Sequence, residues 1–465
     1  MEPAAADRDR TRLLAEEMSG LVYAALAPED VEQVKRLLLD HVGVAWRGSD
    51  MPWSRALADW GATLGNGDGS LIVGSHEHAA PSVAAFVNAA AAHGMELDDT
   101  HDESLSHPGA PVIATALAVG RAAGASGEAV VATIVAGYEV MARAGMAAGA
   151  ADVIERGFHP TALFGGFGAA TAAAKLYGLD AAEMAQSWGL VLSAAGGSMQ
   201  FSQDASGTTV KRLHAGYGAQ HGTMAAEHAR LGIAGPAQAL DGRYGLCALF
   251  GLNPKPERLE RRAGDPFQIH RISLKPYPCC RLFHSTIDAL REVTEEFSIP
   301  DEAISKITVG GPDILVSQHM LRRPQSVMAA QYSLPYALGA SIVCGPSRYE
   351  GYEEERLADP RILAVADRVD AVADDAIQAV FPARFGSWVE LTAPDGTRRR
   401  SEVLDSCGSP ARPLTTDAIA DKIGGLLAAM NDAPDVADLV DAVWSLEEAG
   451  GLKRLIALLC APANA

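Results

Sequence analysis

The spacing of apolar positions predicts helices over most of the first half of the chain. In "PEDVEQVKRLLLDHVGVAW", Val31, Val34, Leu38 and Val42 fall on one helical face, and Pro28 fits a first turn followed by acids. Similar segments follow at "PSVAAFVNAAAAH", "APVIATALAVGRAAG", "GEAVVATIVAGYEVMARAG" and "GLDAAEMAQSWGLVLSAAGG". The last of these sets Asp180 and Glu183 at capping-box spacing. The chain therefore reads as helical throughout its first 260 or so residues.

The texture changes after "GDPFQIHRISLKPYP". "AISKITVGG" and "SWVELTAPDGTRRRSEV" are rich in β-branched residues, and the second carries a Pro-Asp-Gly turn between strand-like halves. "RLFHSTIDALREVTEEF" and "RILAVADRVDAVADDAI" read as helices between them, which makes a separate α+β unit. From about Thr415, "TTDAIADKIGGLLAAM" and "DVADLVDAVWSLEEAG" are amphipathic helices that either close this second domain or rejoin the first.

Composition narrows the class. A chain of 465 residues with 48% hydrophobic and 21% charged content has material for two or three globular domains. A net charge of −20 argues against a nucleic-acid or anionic-membrane partner, so an anionic substrate has to be met by a local basic pocket. The six cysteines include no CxxC pair and read as reduced thiols, Cys279 and Cys280 packed side by side. The N-terminal segment has no apolar core of a secretory signal, and Glu139 and Arg143 interrupt the longest apolar stretch. A cytoplasmic location is expected.

Candidate chemistry is concentrated in "HGMELDDTHDESLSHPGAP", a polar loop between two apolar helices, which places Glu96, Asp98, Asp99, Thr100, His101 and His107 together. The Pro-Gly after His107 is a rigid turn suited to fixing a proton donor. "GFHPTALFGGFG" sets His159 before a proline, and "GTTVKRLHAGYGAQHG" supplies Lys211, Arg212 and His214 amid glycines. "SLKPYPCCRLFH" carries Lys275, Tyr277 and Arg281. A metal set of Asp98, His101 and His107 matches no established ligand spacing, and neither a GxxxxGK[ST] nor a strand-linked GxGxxG loop occurs, so no metal or cofactor is expected. Histidines and acids for proton transfer, with lysines and arginines for anion binding, suit chemistry at a carbon next to a carboxylate, because fixed cations stabilise the charge that develops there.

These motifs resemble the MmgE/PrpD family, which includes 2-methylcitrate dehydratase, cis-aconitate decarboxylase and iminodisuccinate epimerase. "LDDT" with the following His-Pro, "GFHPT", "VKRLHAG", "KPYPCCR" and "AAQYSLPYALG" occur in the family's order. The resemblance implies a large all-helical domain with an inserted, smaller α+β lid: residues 1–265 helical, 266–404 the lid, and 405–465 rejoining the helical domain. It implies a homodimer with a cofactor-free site. Within it His107, His159, Lys211, Lys275, Asp98 and Asp99 are catalytic, while Glu96, Thr100, His101, Arg212, His214, Tyr277 and Arg281 bind substrate. The expected function is a lyase on a small di- or tricarboxylate, a dehydratase or a decarboxylase. The alternatives are an epimerase of an iminodisuccinate-like substrate and a non-catalytic scaffold or binding protein.

Overall fold

The computed structural model describes residues 8–64, 69–203, 208–297 and 304–461; the start of the N-terminal segment read above lies outside the described residues. The chain divides into two compact units, one made of Met1–Gln200, Val210–Ile272 and Ile419–Ala465, the other of Phe201–Thr209 and Ser273–Ala418. The first is helical and the second is α+β.

In the first unit the main helices are α1 (Pro28–Ser49), α2 (Pro81–His93), α3 (Gly109–Ala123), α4 (Gly127–Ala148), α5 (Pro160–Leu176), α6 (Ala181–Leu192) and α7 (Val210–Arg230). Proline opens α1, α2 and α5, where its missing N–H is no loss. The Asp180 and Glu183 capping box closes both ways at 2.9 Å. On α1, Val34, Leu38 and Val42 are buried while Val31 is only partly covered. The N-terminal half is not helical throughout: Ser70–Leu71 pairs with His78–Ala79 in a short antiparallel ribbon.

Helix α7 packs on α5 and α2, and its glycines set the distance. A Cβ on Gly218 would lie 3.0 Å from the Gly165 carbonyl carbon, and one on Gly222 would lie 2.5 Å from the Gly166 oxygen. Only glycine lets these two backbones approach so closely. Helix α4 is 22 residues long and apolar enough by composition to cross a membrane, yet 94% of its apolar window is buried in the core. Its Glu139 and Arg143 are buried and ion-paired to each other, which is how that core tolerates them.

In the second unit α8 (His284–Phe297) packs on a sheet of β1 (Lys306–Gly311), β2 (Val369–Ala373), β3 (Ser387–Thr392) and β4 (Arg398–Val403), in the spatial order β2-β1-β3-β4. Strands β3 and β4 form the expected hairpin, Ser387 opposite Val403. The segment "RILAVADRVDAVADDAI" is not one helix. It holds the helix Pro360–Ala366, then β2, then the helix Asp375–Val380. Parallel pairing to β1, Ile307 opposite Val369, satisfies the backbone that a continuous helix would have satisfied internally.

The unit boundaries fall at 272/273 and 418/419, where 265/266 and 404/405 had been expected. Residues up to Ile272 stay with the first unit because His270 bonds Asp30 at 2.7 Å and Gln33 donates to the Ile269 carbonyl at 3.1 Å. Residues after 404 stay with the second: the Cys407 N–H donates to Asp288 at 2.6 Å, the Leu274 N–H to the Gly408 carbonyl at 2.8 Å, and Arg281 to Ser406 Oγ at 2.7 Å. The helices α9 (Thr416–Leu427) and α10 (Val436–Trp444) follow, and Ile419 onward belongs to the helical unit. Among the described residues the cysteines form no disulfide, Cys279 and Cys280 included.

Candidate active site

Helix α2 ends at His93, and the acidic loop begins within the core rather than in solvent. Glu96, Asp98, Asp99, Thr100, His101 and His107 are all buried. Several fasteners hold the loop. Arg212 on α7 donates to the Gly94 carbonyl, with its guanidinium 3.7 Å from the Trp53 ring centre. Lys422 on α9 donates to the Leu97 carbonyl at 2.9 Å and to Asp40 at 2.6 Å. Glu96 has φ +55°, a left-handed conformation costing roughly 1 kcal/mol or more for a non-glycine residue, and its carboxylate is ion-paired with buried Lys211.

Asp98 serves two imidazoles. Its Oδ2 accepts from His93 Nδ1 at 2.6 Å, and its Oδ1 lies 3.3 Å from His107 Nδ1. His107 Nδ1 is also 2.9 Å from the Asp99 carbonyl oxygen, which can only accept, so this nitrogen carries a hydrogen and Nε2 is left for proton exchange. The His107 N–H donates to Thr161 Oγ1 at 3.1 Å, tying the loop to the first turn of α5. Burial alone would raise the Asp98 carboxyl, but His107 and His93 hold it well below the usual carboxylate range.

His159, at the start of α5, meets His214 of α7 with the two Nδ1 atoms 2.9 Å apart. The close α5–α7 approach makes this meeting possible. The His93 ring lies 4.9 Å from that of His107 and 6.0 Å from that of His159. Burial, then Lys211, lowers His93 well below its ordinary value; burial, then His214, does the same to His159. His214 is lowered to about 4, by burial and then by Lys211. Asp99 moves the other way: burial raises it to about 7, against hydrogen bonds from Tyr138 Oη at 2.6 Å and the Gly109 N–H at 2.8 Å. A Cβ at Gly109 would sit 2.8 Å from Asp99 Oδ1, so this pairing needs the glycine of the His-Pro-Gly turn.

Glu96, Asp98, Asp99, His107, His159, Lys211 and His214 are thus gathered in one enclosed cluster of the helical unit. Thr100 donates to Asp102 at 3.2 Å, and His101 bonds Ser104 at 2.8 Å and Gln268 at 3.0 Å, so both shape the loop. Arg212 fastens it. Lys275, Tyr277 and Arg281 lie in the second unit, buried, with Tyr277 hydrogen-bonded to Asp288 and Arg281 to Ser273 and Ser406. Sequence reasoning left out His93, although it opens the acidic stretch, and Tyr138, which sits mid-helix with no local signal. The ligand atoms of His93, Asp98 and His107 lie within 4.8 Å of one another, an ion-sized set that includes His93 in place of His101. Within this set His93 Nδ1 faces Asp98 and His107 Nδ1 faces the Asp99 carbonyl. A cavity of about 570 Å³ lined by Trp46, Asp50, Arg55, Asn88 and Asp432 contains none of these residues.

The MmgE/PrpD N-terminal domain matches residues 12–259, and the MmgE/PrpD C-terminal domain matches residues 277–448. The chain belongs to the MmgE/PrpD family. Among its relatives are the cis-aconitate decarboxylase-like protein oryM of Aspergillus oryzae, 26% identical over 456 residues covering 93% of each chain. The cis-aconitate decarboxylase of Aspergillus terreus is 25% identical over 462 residues, covering 94% of this chain and 93% of the relative. That of Homo sapiens is 26% identical over 465 residues, covering 97% of this chain and 95% of the relative.

Proposed function

We propose that this MmgE/PrpD protein is a cofactor-independent lyase that decarboxylates a small unsaturated polycarboxylate of the cis-aconitate kind. The observation that carries this reading is the enclosed cluster in which Asp98 spans His93 and His107 beside the Lys211 ammonium. The decarboxylases aligned along nearly the whole chain favour loss of carbon dioxide over loss of water.

In the proposed reaction the bond from carbon to one carboxylate breaks and carbon dioxide departs. The electron pair moves into the remaining conjugated carboxylate, where the Lys211 ammonium stabilises the developing charge. A proton then closes the carbanion. His107 delivers it from Nε2, held in position through Nδ1, and the His159–His214 pair serves as the second proton carrier. Because the substrate's own carboxylate takes up the electron pair, the route calls for no metal. Lys275 is assigned a carboxylate-binding role by its motif alone.

The test is incubation of the protein in deuterated water with cis-aconitate, 2-methylcitrate, citrate and iminodisuccinate, followed by proton NMR. Carbon dioxide release with one deuterium gained at carbon is expected, undiminished by exhaustive chelation. Deuterium exchange with inversion and no loss of carbon would make the protein an epimerase. Silence across the panel would make it a binding protein.

A further inference from the structure

His93 stands outside the motifs that mark this site, yet it is the most central imidazole in it. It is the last residue of α2 and is fully buried. Its Nδ1–H goes to one oxygen of Asp98 and the other oxygen of the same carboxylate lies against His107. Its Nε2 has no hydrogen-bond partner among the described residues. Its ring is 4.9 Å from that of His107 and 6.0 Å from that of His159, with His214 a further 4.8 Å beyond His159.

At about 5 Å and an effective dielectric constant of about 20, two imidazolium charges repel strongly enough to displace a titration by about two pH units. One carboxylate, Asp98, is bonded directly to this row. Asp98 and His107 from the loop and Lys211 from α7 act directly on His93, and Lys211 is paired in turn with Glu96. His159 from α5 lies beside the His93 ring; further out, Asp40 and His41 from α1, Tyr138 from α4 and Asp99 from the loop feel the charge of Asp98, and Lys422 from α9 is bonded to Asp40. The cationic side already holds Lys211, so a second proton on the imidazoles is opposed.

We infer that His93 is a positioning residue of the acid–base machinery: by donating Nδ1–H to Asp98 it takes up part of that carboxylate's charge, and so keeps the Asp98–His107 pair from holding its proton too tightly to release. The inference rests on the proton-transfer reading of the cluster. It distinguishes two kinds of replacement. The Nδ2 of asparagine stands close to where the histidine Nδ1 stands, so His93→Asn preserves the donor to Asp98. His93→Gln and His93→Phe do not.

Ring-nitrogen NMR titration of protein labelled with ¹⁵N-histidine reads this without any substrate. Loss of a hydrogen bond to a charged group should move proton uptake by the Asp98–His107 pair upward by about one to two pH units in H93Q and H93F, and by well under one unit in H93N. In turnover, the alkaline limb of the kcat profile, on which a proton-delivering His107 is read, should shift the same way in H93Q and H93F, with KM little changed and H93N close to the parent. Unshifted titrations in folded H93Q or H93F would overturn the inference. So would equal shifts in all three variants, or loss of the fold in all three, since either assigns His93 to packing alone. If H93F alone fails to fold, the comparison of H93Q with H93N decides. Titrations that shift as expected in a protein that turns over none of the panel would leave this inference standing and remove the proposed function.

Discussion

His107 and Lys211 are the residues on which proposed turnover depends most directly, one through a fixed Nδ1 that frees Nε2, the other through a buried ammonium paired with Glu96. His107→Ala and Lys211→Ala should each lower kcat by roughly a hundredfold or more while circular dichroism and the unfolding midpoint show an intact fold. Asp99 makes a different prediction, about stability. Its folded pKa of about 7 lies above the unfolded value of about 3.9, so its stabilising contribution is full below about 3.9 and is lost as pH rises through about 7. Asp99→Asn keeps an acceptor for the Gly109 N–H and lets the Tyr138 hydroxyl turn to accept. Denaturant unfolding should therefore find Asp99→Asn more stable than the parent at pH 8, with the difference shrinking as pH falls and nearly gone by about pH 4. At this scale the sequence exposed His107, His159 and Lys211 because each sits in a short motif with prolines or glycines beside it. Tyr138 and His93 were hidden because what distinguishes them is a partner distant along the chain or an unremarkable place at a helix end.

At the scale of elements, the α5–α7 seam does two jobs: it builds core, and it brings His159 to His214. Replacing a helical glycine with alanine ordinarily stabilises by roughly 0.5–1 kcal/mol. At Gly222 the added Cβ meets the Gly166 carbonyl oxygen at 2.5 Å, which is backbone and cannot swing aside. Overpacking costs about 1–3 kcal/mol, so Gly222→Ala should lower the urea midpoint and disturb the His159–His214 contact. An increase in stability would show that the two helices separate freely. The apolar period predicted α1, α2, α3, α4 and α6 well because each buries one face or is buried all round. It failed at β2, where the "VDAVA" segment has both helical and alternating readings. Pairing with β1 decides between them, and that pairing joins residues about sixty apart in the chain.

For the molecule as a whole, burial of imidazoles sets the acid limit. His41, His93, His101, His159 and His214 all have folded values below the ordinary 6.5, burial being the first cause in each. The unfolded chain therefore binds protons that the folded one refuses, and stability falls as pH drops below about 6.5, continuing toward about 4 where His41 and His214 titrate in the fold. The Asp99 effect runs the other way over the same range, but it is one group against these five histidines. In about 0.5 M salt, which screens the exposed charges behind the net −20, the thermal midpoint should fall steadily from pH 6.5 to pH 4.5. A flat profile would mean that these histidines are protonated in the fold.

The sequence by itself determined the helical character of the first unit, the hairpin of the second, the change of texture between them, and the stretches that contribute most of the cluster. Those features rest on local periodicity, turn chemistry and short motifs, which are written in consecutive residues. Only the tertiary structure decided that the acidic loop is buried, that Glu96 pairs with Lys211 more than a hundred residues away, and that Asp98 is shared between His93 and His107. It also decided that residues 405–418 stay with the α+β unit. The reason is physical: a buried charge or an unpaired backbone group must find a partner, and the fold supplies partners that no local pattern announces.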